Sequence, residues 1–392
     1  MKSDMMTLLA FCMTSFYFFS CSSPANQATA TYDIGLVETK KITLPVDEST
    51  YYMTKCIYHF EEDGKEYLHF QNTEKRQYEI IIYDLESLSV TRKIPLEKKG
   101  PNAIPAIFGS KPWGDSKKFL FFQNSASRVT IGDANGKVIR KYRIQAPNDG
   151  FIAFFSASYF FTPSFIKDSV IYISPDVNPR MKKDDWIKTS MFFSLDLRSG
   201  DINFLPIHYP SVFNQDIECV GGGETFTYDY NYTNDRLVCS FTGYDSLMVT
   251  DDLRNVKWVD GKSRYLKSLR PEVGESSAGL QWLREYNERA KYSHVMYDKY
   301  RDVYYRFAEH QCELGDDEYP MDNPKAREFS VIIFDKDFNI IGETKFPGNK
   351  YFYKMVFVGR DGLYISENNL ANPDFDEDKL VFACFKLEDV KE

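Results

Sequence analysis

The chain's five histidines, His59, His69, His208, His294 and His310, are the first candidates for chemistry, because imidazole both binds metals and titrates near neutral pH. Their spacing contains no H-E-x-x-H and no other zinc-ligand pattern. His59 and His69 fall inside strand-like words and are expected to pack or hydrogen-bond locally. His208 and His294 stand at loop–strand joints, where a site would be built. Two acidic loops, residues 313–322 and 374–378, are rich in oxygen ligands, but neither has the Gly and carboxylate spacing of an EF-hand. Solvated charge is the expected role there; no cofactor is expected, and Ca2+ is the one ion these loops leave open. Residues 221–224 (Gly-Gly-Gly-Glu) lack the Lys-Ser/Thr of a phosphate loop and read as a tight turn leading into a strand. No G-x-S-x-G elbow or Ser-His-Asp order is present. The residues retained as candidates for binding are Asn102, His208, Glu224, Arg289 and His294, with no catalytic or metal residue assigned.

The elements that must position these groups are legible as a repeat. Residues 57–60, a turn at 62–65 and residues 67–72 form a hairpin whose cognates turn at 113–116, 167–168, 234–235, 298–301 and 359–362. Leu-His-Phe-Gln-Asn at 68–72 and Leu-Phe-Phe-Gln-Asn at 120–124 are nearly the same word. A third and a fourth strand follow each hairpin, as in residues 80–87 and 90–96. Asp84, Asp133, Asp196, Asp251 and Asp335 fall at the end of the third strand, where an Asp side chain accepts from its own backbone two residues on and starts a turn. The sixth copy has a third strand at residues 382–388 and then the chain ends at Glu392. Residues 37–45 resemble the missing fourth strand. The sequence therefore predicts an all-β fold, a six-bladed β-propeller of four-stranded antiparallel blades, with an N-terminal strand closing the last blade and leaving no exposed sheet edge.

The spacing between Asp84 and Asp335 averages about 63 residues per repeat, against about 40–45 for a compact blade. The surplus falls after strand four or strand two, two connections that emerge on one face of an up-and-down blade. One face is loop-rich and the other plain, and the working surface is assigned to the loop-rich face. One of its insertions, residues 278–290 after a capping Ser277, is expected to be helical. Another, residues 151–165, holds seven Phe and Tyr residues, for which core packing is the leading expectation and a contact patch the alternative.

Hydrophobic residues make up 43% of the chain and aromatics 16%, enough for a core, and a formal net charge of −9 argues against nucleic-acid binding. An apolar run at residues 5–19 ends in Phe18-Phe19-Ser20-Cys21, which reads as a lipoprotein leader (residues 1–20) with Cys21 as the lipidated residue and membrane anchor. Residues 21–31 then form a flexible tether, and residues 32–392 a single propeller domain. Past Cys12 and Cys21, the five cysteines Cys56, Cys219, Cys239, Cys312 and Cys384 have no C-x-x-C pair, so buried thiols are the default. Cys219 and Cys239 flank one hairpin and are the pair an oxidising compartment would join.

Residues 297–306 (Tyr-Asp-Lys-Tyr-Arg-Asp-Val-Tyr-Tyr-Arg), Gly100-Pro101-Asn102, residues 361–366 (Asp-Gly-Leu-Tyr-Ile-Ser) and Glu377-Asp378 resemble the Bacteroidetes lipoproteins of domain-of-unknown-function family 4221. The resemblance spans about residues 34–388. It implies the lipoprotein leader and the propeller, and carries no activity and no site residues. Residues 22–27 lack the acidic residues common after the lipidated Cys of surface-exported Bacteroidetes lipoproteins, which points to the periplasmic side of the outer membrane. The expected function is a membrane-tethered module that binds a protein or glycan partner on its loop-rich face. The alternative is a propeller-type hydrolase or lactonase with a metal or catalytic groups at the channel mouth.

Overall fold

Tight turns and apolar words build a series of antiparallel sheets. The computed structural model describes residues 33–390 except 74–77, 114, 124–126, 146–151, 156–157, 178–184, 186, 212–225, 268, 270–279 and 316–325. After β1 (Ile34–Pro45) the chain forms a first sheet from β2 (Ile57–Glu62), β3 (Lys65–Asn72), β4 (Glu79–Asp84) and β5 (Ser89–Pro95). A second follows from β6 (Gly109–Trp113), β7 (Asp115–Gln123), β8 (Arg128–Asp133) and β9 (Val138–Arg143). Among the described residues β10 (Ile152–Phe155) pairs only with β13 (Pro175–Val177), and a third sheet is formed by β11 (Phe165–Lys167), β12 (Val170–Ile173), β14 (Phe193–Asp196) and β15 (Ile202–Phe204). The fourth sheet is β16 (Phe226–Asn231), β17 (Arg236–Phe241), β18 (Leu247–Thr250) and β19 (Lys257–Val259). A helix, α1 (Leu280–Glu288), precedes β20 (Lys291–Asp298), β21 (Val303–Glu309), β22 (Phe329–Phe334) and β23 (Ile340–Phe346). The last strands are β24 (Phe352–Val358), β25 (Leu363–Ser366) and β26 (Lys379–Asp389).

Among the described residues the first four sheets are separate, while β20–β26 and β1 form one eight-stranded sheet in the order β20-β21-β22-β23-β1-β26-β25-β24. β1 pairs antiparallel with β26 from Ile34↔Asp389 to Pro45↔Lys379, so the N-terminal strand completes the last four-stranded half. Its ladder pairing with β23 is a single parallel contact at Ile34↔Gly342, beside a hydrogen bond from Leu36 N to Thr344 Oγ1 (2.8 Å). A Cβ on Gly342 would lie 1.9 Å from the Ile34 carbonyl oxygen, so only glycine admits that approach.

The middle strands read as unbroken apolar words because neighbouring sheets cover both of their faces. Ile80, Ile82, Phe119 and Phe121 form one core between the first and second sheets, and Leu120, Phe122, Ile171 and Phe193 one between the second and third. Phe165, Phe192, Tyr228 and Cys239 join the third to the fourth, and Val238, Val249, Tyr304 and Ile332 join the fourth to β20–β23. The largest core brings β20–β23, β24–β26 and the first sheet together through Val331, Phe382 and Phe70, so the series of cores returns to its start. This is an all-β, propeller-like arrangement of four-stranded antiparallel sheets. Buried Arg306 ties the fourth sheet to β21, donating to Ser240 Oγ (2.8 Å), Gly261 O (2.9 Å) and Tyr244 O (2.6 Å), with its guanidinium over the Tyr292 ring.

The turn chemistry holds in detail. Asp84 Oδ1 accepts from Glu86 N and Ser87 N at 2.8 and 2.9 Å, and Asp133, Asp196 and Asp335 do the same in their own turns. The fourth repeat departs. Asp252 makes those bonds, to Arg254 N and Asn255 N, while Asp251 turns aside to pair with Arg236 at 2.5 Å. The helix begins within the described residues at Leu280, and its expected cap Ser277 lies outside them.

Candidate functional site

The first strands of several sheets meet in the middle of the arrangement: β2 packs against β6 and β24, and β16 against β20. Residues 158–164 cross this centre at the loop-rich end. Phe160 N donates to Lys55 O at 3.0 Å, just before β2, and Tyr228 N in β16 donates to Phe161 O at 3.0 Å. Ser158 presses on β6 so closely that a Cβ on Gly109 would sit 2.5 Å from its carbonyl oxygen. The Phe160 ring meets His294 of β20 edge-on at 5.2 Å, and His294 stacks on Phe307 at 3.9 Å. The aromatic segment that includes residues 158–164 therefore does more than fill a blade. Its described part packs in the core through Phe160 and Phe165 and also spans the first strands of different sheets.

One step along the strands beneath this crossing lie Tyr58, Lys111 and Asp229. The Tyr58 hydroxyl and Ser158 Oγ are 3.0 Å apart, and Lys111 Nζ donates to Ser164 O at 2.5 Å. Lys111 also stands 5.2 Å from the Tyr58 ring centroid. Asp229 accepts from Tyr230 N at Oδ1 (2.8 Å) and from Tyr297 N at Oδ2 (2.7 Å). Burial among protein atoms raises the Asp229 carboxyl to about 6 and lowers the Lys111 ammonium to about 8, each charge partly offsetting the other's shift. They are not in ion-pair contact.

Nearer the loop-rich end, Glu309 at the end of β21 is buried with three cations. Arg327 Nη1 lies 2.8 Å from Oε2, Lys291 Nζ 3.7 Å from Oε2, and Lys354 Nζ 3.9 Å from Oε1. Burial alone would raise this carboxyl, yet the three cations bring it down to about 2. Arg327 also donates to Arg289 O at 3.1 Å, and the Arg289 guanidinium lies 4.6 Å over the Tyr286 ring. Burial holds His294 down to about 3, so it is neutral, with Nδ1 3.2 Å from Ser293 Oγ. Near neutral pH, Glu309 is a fixed anion and His294 a fixed neutral ring. Neither is poised for proton transfer.

Around the crossing segment the loops present aromatic side chains. Tyr51 and Tyr52 are 4.7 Å apart and Tyr52 meets Phe375 at 5.0 Å. Tyr159 meets Phe161 at 5.3 Å under the Lys55 ammonium, and Phe108, beside Cys56, is 46% exposed.

Of the residues singled out in the sequence, Arg289 and His294 come to the Glu309 cluster. Asn102 is half-buried in the turn after β5, and exposed His208 bridges Ser190 through the backbone beyond β15. Glu224 and Cys21 lie outside the described residues, as does Cys219. Cys239, Cys312 and Cys384 are thiols outside any disulfide, and the Cys56 thiol donates to Phe108 O (3.7 Å) and Ser158 O (3.6 Å). His59 bonds locally, to Glu66 across its own hairpin (2.8 Å), whereas His69 departs from that expectation and reaches Ser110 in β6 of the next sheet (3.0 Å). Of the acidic loops, 313–322 is mostly outside the described residues, while in 374–378 Asp376 pairs with Lys379 at 2.5 Å. Among the described residues no group of three His, Cys, Asp or Glu side chains is placed to hold a metal. Lys111, Asp229, Glu309, Arg327 and Lys354 escaped the sequence reading. The one signal was a charge set inside an apolar strand word, as in Phe-Thr-Tyr-Asp229-Tyr-Asn.

Residues 33–345 match the family described as a domain of unknown function, DUF4221. The chain belongs to this family. A crystal structure of a DUF4221 member from Bacteroides vulgatus ATCC 8482 is similar at 51% identity, covering 92% of this chain and 99% of that one, with a TM-score of 0.86. A putative exported protein from Bacteroides fragilis NCTC 9343 shares the fold at 12% identity and a TM-score of 0.53, covering 92% and 96% of the two chains. No curated protein matches the chain. DUF4221 membership thus agrees with the resemblance carried by residues 297–306 and, like it, brings no activity.

Proposed function

We propose that this chain is a six-bladed propeller, tethered to the outer membrane by a lipid on Cys21, that binds a protein or glycan partner through its loop-rich face. The count of six is supported by the way the eight-stranded sheet narrows to the single Ile34↔Gly342 pairing between β20–β23 and β24–β26 with β1, beside four separate four-stranded sheets. Residues 1–20 are the leader, 21–31 the tether and 32–392 the propeller; the site faces the periplasm and needs no cofactor.

The observation that carries the reading is the aromatic rim of Tyr51, Tyr52, Phe108, Tyr159 and Phe375 around residues 158–164. Half-exposed aromatic rings offer large contact area with little entropy to lose, and they stack equally on sugar faces and on apolar side chains. Towards the same end of the molecule, the buried Glu309 and His294 are held in single protonation states, which favours recognition over hydrolysis. The test is affinity capture from envelope extract with the wild-type chain and with Tyr52→Ser/Phe108→Ser. A partner retained by the first and lost by the second supports the reading; equal capture by both removes it. Palmitate labelling that disappears in Cys21→Ser tests the anchor separately.

A further inference from the structure

We propose that the well lined by Tyr58, Lys111 and Asp229 binds a small zwitterion, an ammonium and a carboxylate on a short spacer as in a free amino acid, admitted from the plain face. The roof of the well is closed: Ser158 and Ser164 are 1% exposed and Phe160 6%. Directly beneath it, Tyr58, Lys111 and Asp229 keep partial surface. With the roof closed, the side left for entry is the opposite one, along β16 towards its turn with β17, where Tyr232 is 60% exposed.

The charges dictate the ligand. Lys111 of β6 donates to Ser164 O, and Asp229 of β16 follows Tyr228, whose N donates to Phe161 O, so a cation and an anion approach the same crossing segment without an ion pair between them. Lys111 has three N–H donors and places one on Ser164 O. Asp229 accepts one backbone N–H at each oxygen, leaving a lone-pair direction free on both. A ligand carboxylate meets Lys111 and its ammonium meets Asp229, making two charge-assisted bonds; a neutral sugar offers only neutral hydrogen bonds, roughly half as strong. The Tyr58 ring supplies an apolar flank for the spacer. Both groups are held toward their uncharged forms, a penalty that an oppositely charged ligand group relieves. This inference is independent of the rim: it concerns another end of the molecule and another class of ligand.

The test is trace acetylation of the full chain with acetic anhydride at neutral pH, following the Lys111 peptide by mass spectrometry with L-alanine as probe. Lys111 is expected to label in the folded protein, and L-alanine at about twice its Kd to slow labelling about threefold, the factor 1 + [L]/Kd. Sodium acetate, methylammonium and D-glucose at the same concentration are expected to protect little. In Asp229→Asn, with an unchanged circular dichroism spectrum, protection by L-alanine is lost while Lys111 still labels. A Lys111 that never labels would mean a closed well. Protection by acetate or glucose equal to that by alanine would overturn the zwitterion. Both of these outcomes are read on the wild-type chain, whatever the variant does.

Discussion

The two ends of the molecule handle charge in opposite ways. At the loop-rich end Glu309 is buried beneath three cations, and aromatic rings such as Phe108 and Tyr159 stand partly exposed among the described surface residues. At the plain end Glu61 sits in the open among Lys299 (3.2 Å), the Tyr300 hydroxyl (2.8 Å) and Arg360 (2.8 Å), a network joining the hairpins of β2, β20 and β24. Both carboxyls are brought down to about 2, against the rise that burial alone would give, by cations and donors. The energies behind those equal values differ. The buried cluster has surrendered its hydration and depends on every partner, whereas water backs up the exposed one. A plain surface whose charges neutralise one another leaves a macromolecular partner little to hold, so what enters from that side is a small ligand of Lys111 and Asp229; the loop-rich face displays rings.

Removing one carboxyl at each end separates the two cases. Glu309→Gln strands Arg327 and Lys291 in the interior and is expected to cost about 3–5 kcal/mol in urea unfolding. A loss below about 1 kcal/mol would mean that water already solvates the cluster. The same pair predicts a pH dependence with a definite sign. Glu309 has a folded pKa below its unfolded value of about 4.3, so its contribution is complete above that value and is lost as pH falls towards 2. The wild type should therefore lose more stability than Glu309→Gln over that window. Gly109→Ala drives a methyl into the Ser158 carbonyl and should cost about 1–3 kcal/mol by displacing the crossing segment, read as a lower midpoint with unchanged slope. Glu61→Gln on the plain face should cost about 1 kcal/mol or less, and that little should shrink further in high salt.

Much of this contrast was legible in the residues. The loop-rich face follows from where the insertions fall, and the β1–β26 pairing from the likeness of residues 37–45 to a fourth strand. Four of the five turn aspartates keep their place. The fifth moves from Asp251 to Asp252 because Arg236 lies within reach of Asp251, a tertiary contact that local spacing does not encode. The single parallel contact that fuses two halves into one sheet depends on Gly342 lacking a Cβ against Ile34, again a meeting of distant residues. The same applies to the site. His294 and Arg289 stood out because few other polar residues mark the loop–strand joints. Lys111, Asp229, Glu309 and Arg327 each contribute one charge from a different strand or loop, and only the closed arrangement of sheets brings those charges together.

The most direct test of the central claim, that recognition belongs to the loop-rich face, is hydroxyl-radical footprinting of the chain with its captured partner bound. Protection is expected at Tyr51, Tyr52, Phe108 and Tyr159, with Tyr232 and Tyr300 labelled as in the free protein. Protection at Tyr232 and Tyr300, with the rim still reactive, would place the working surface on the plain face and contradict it.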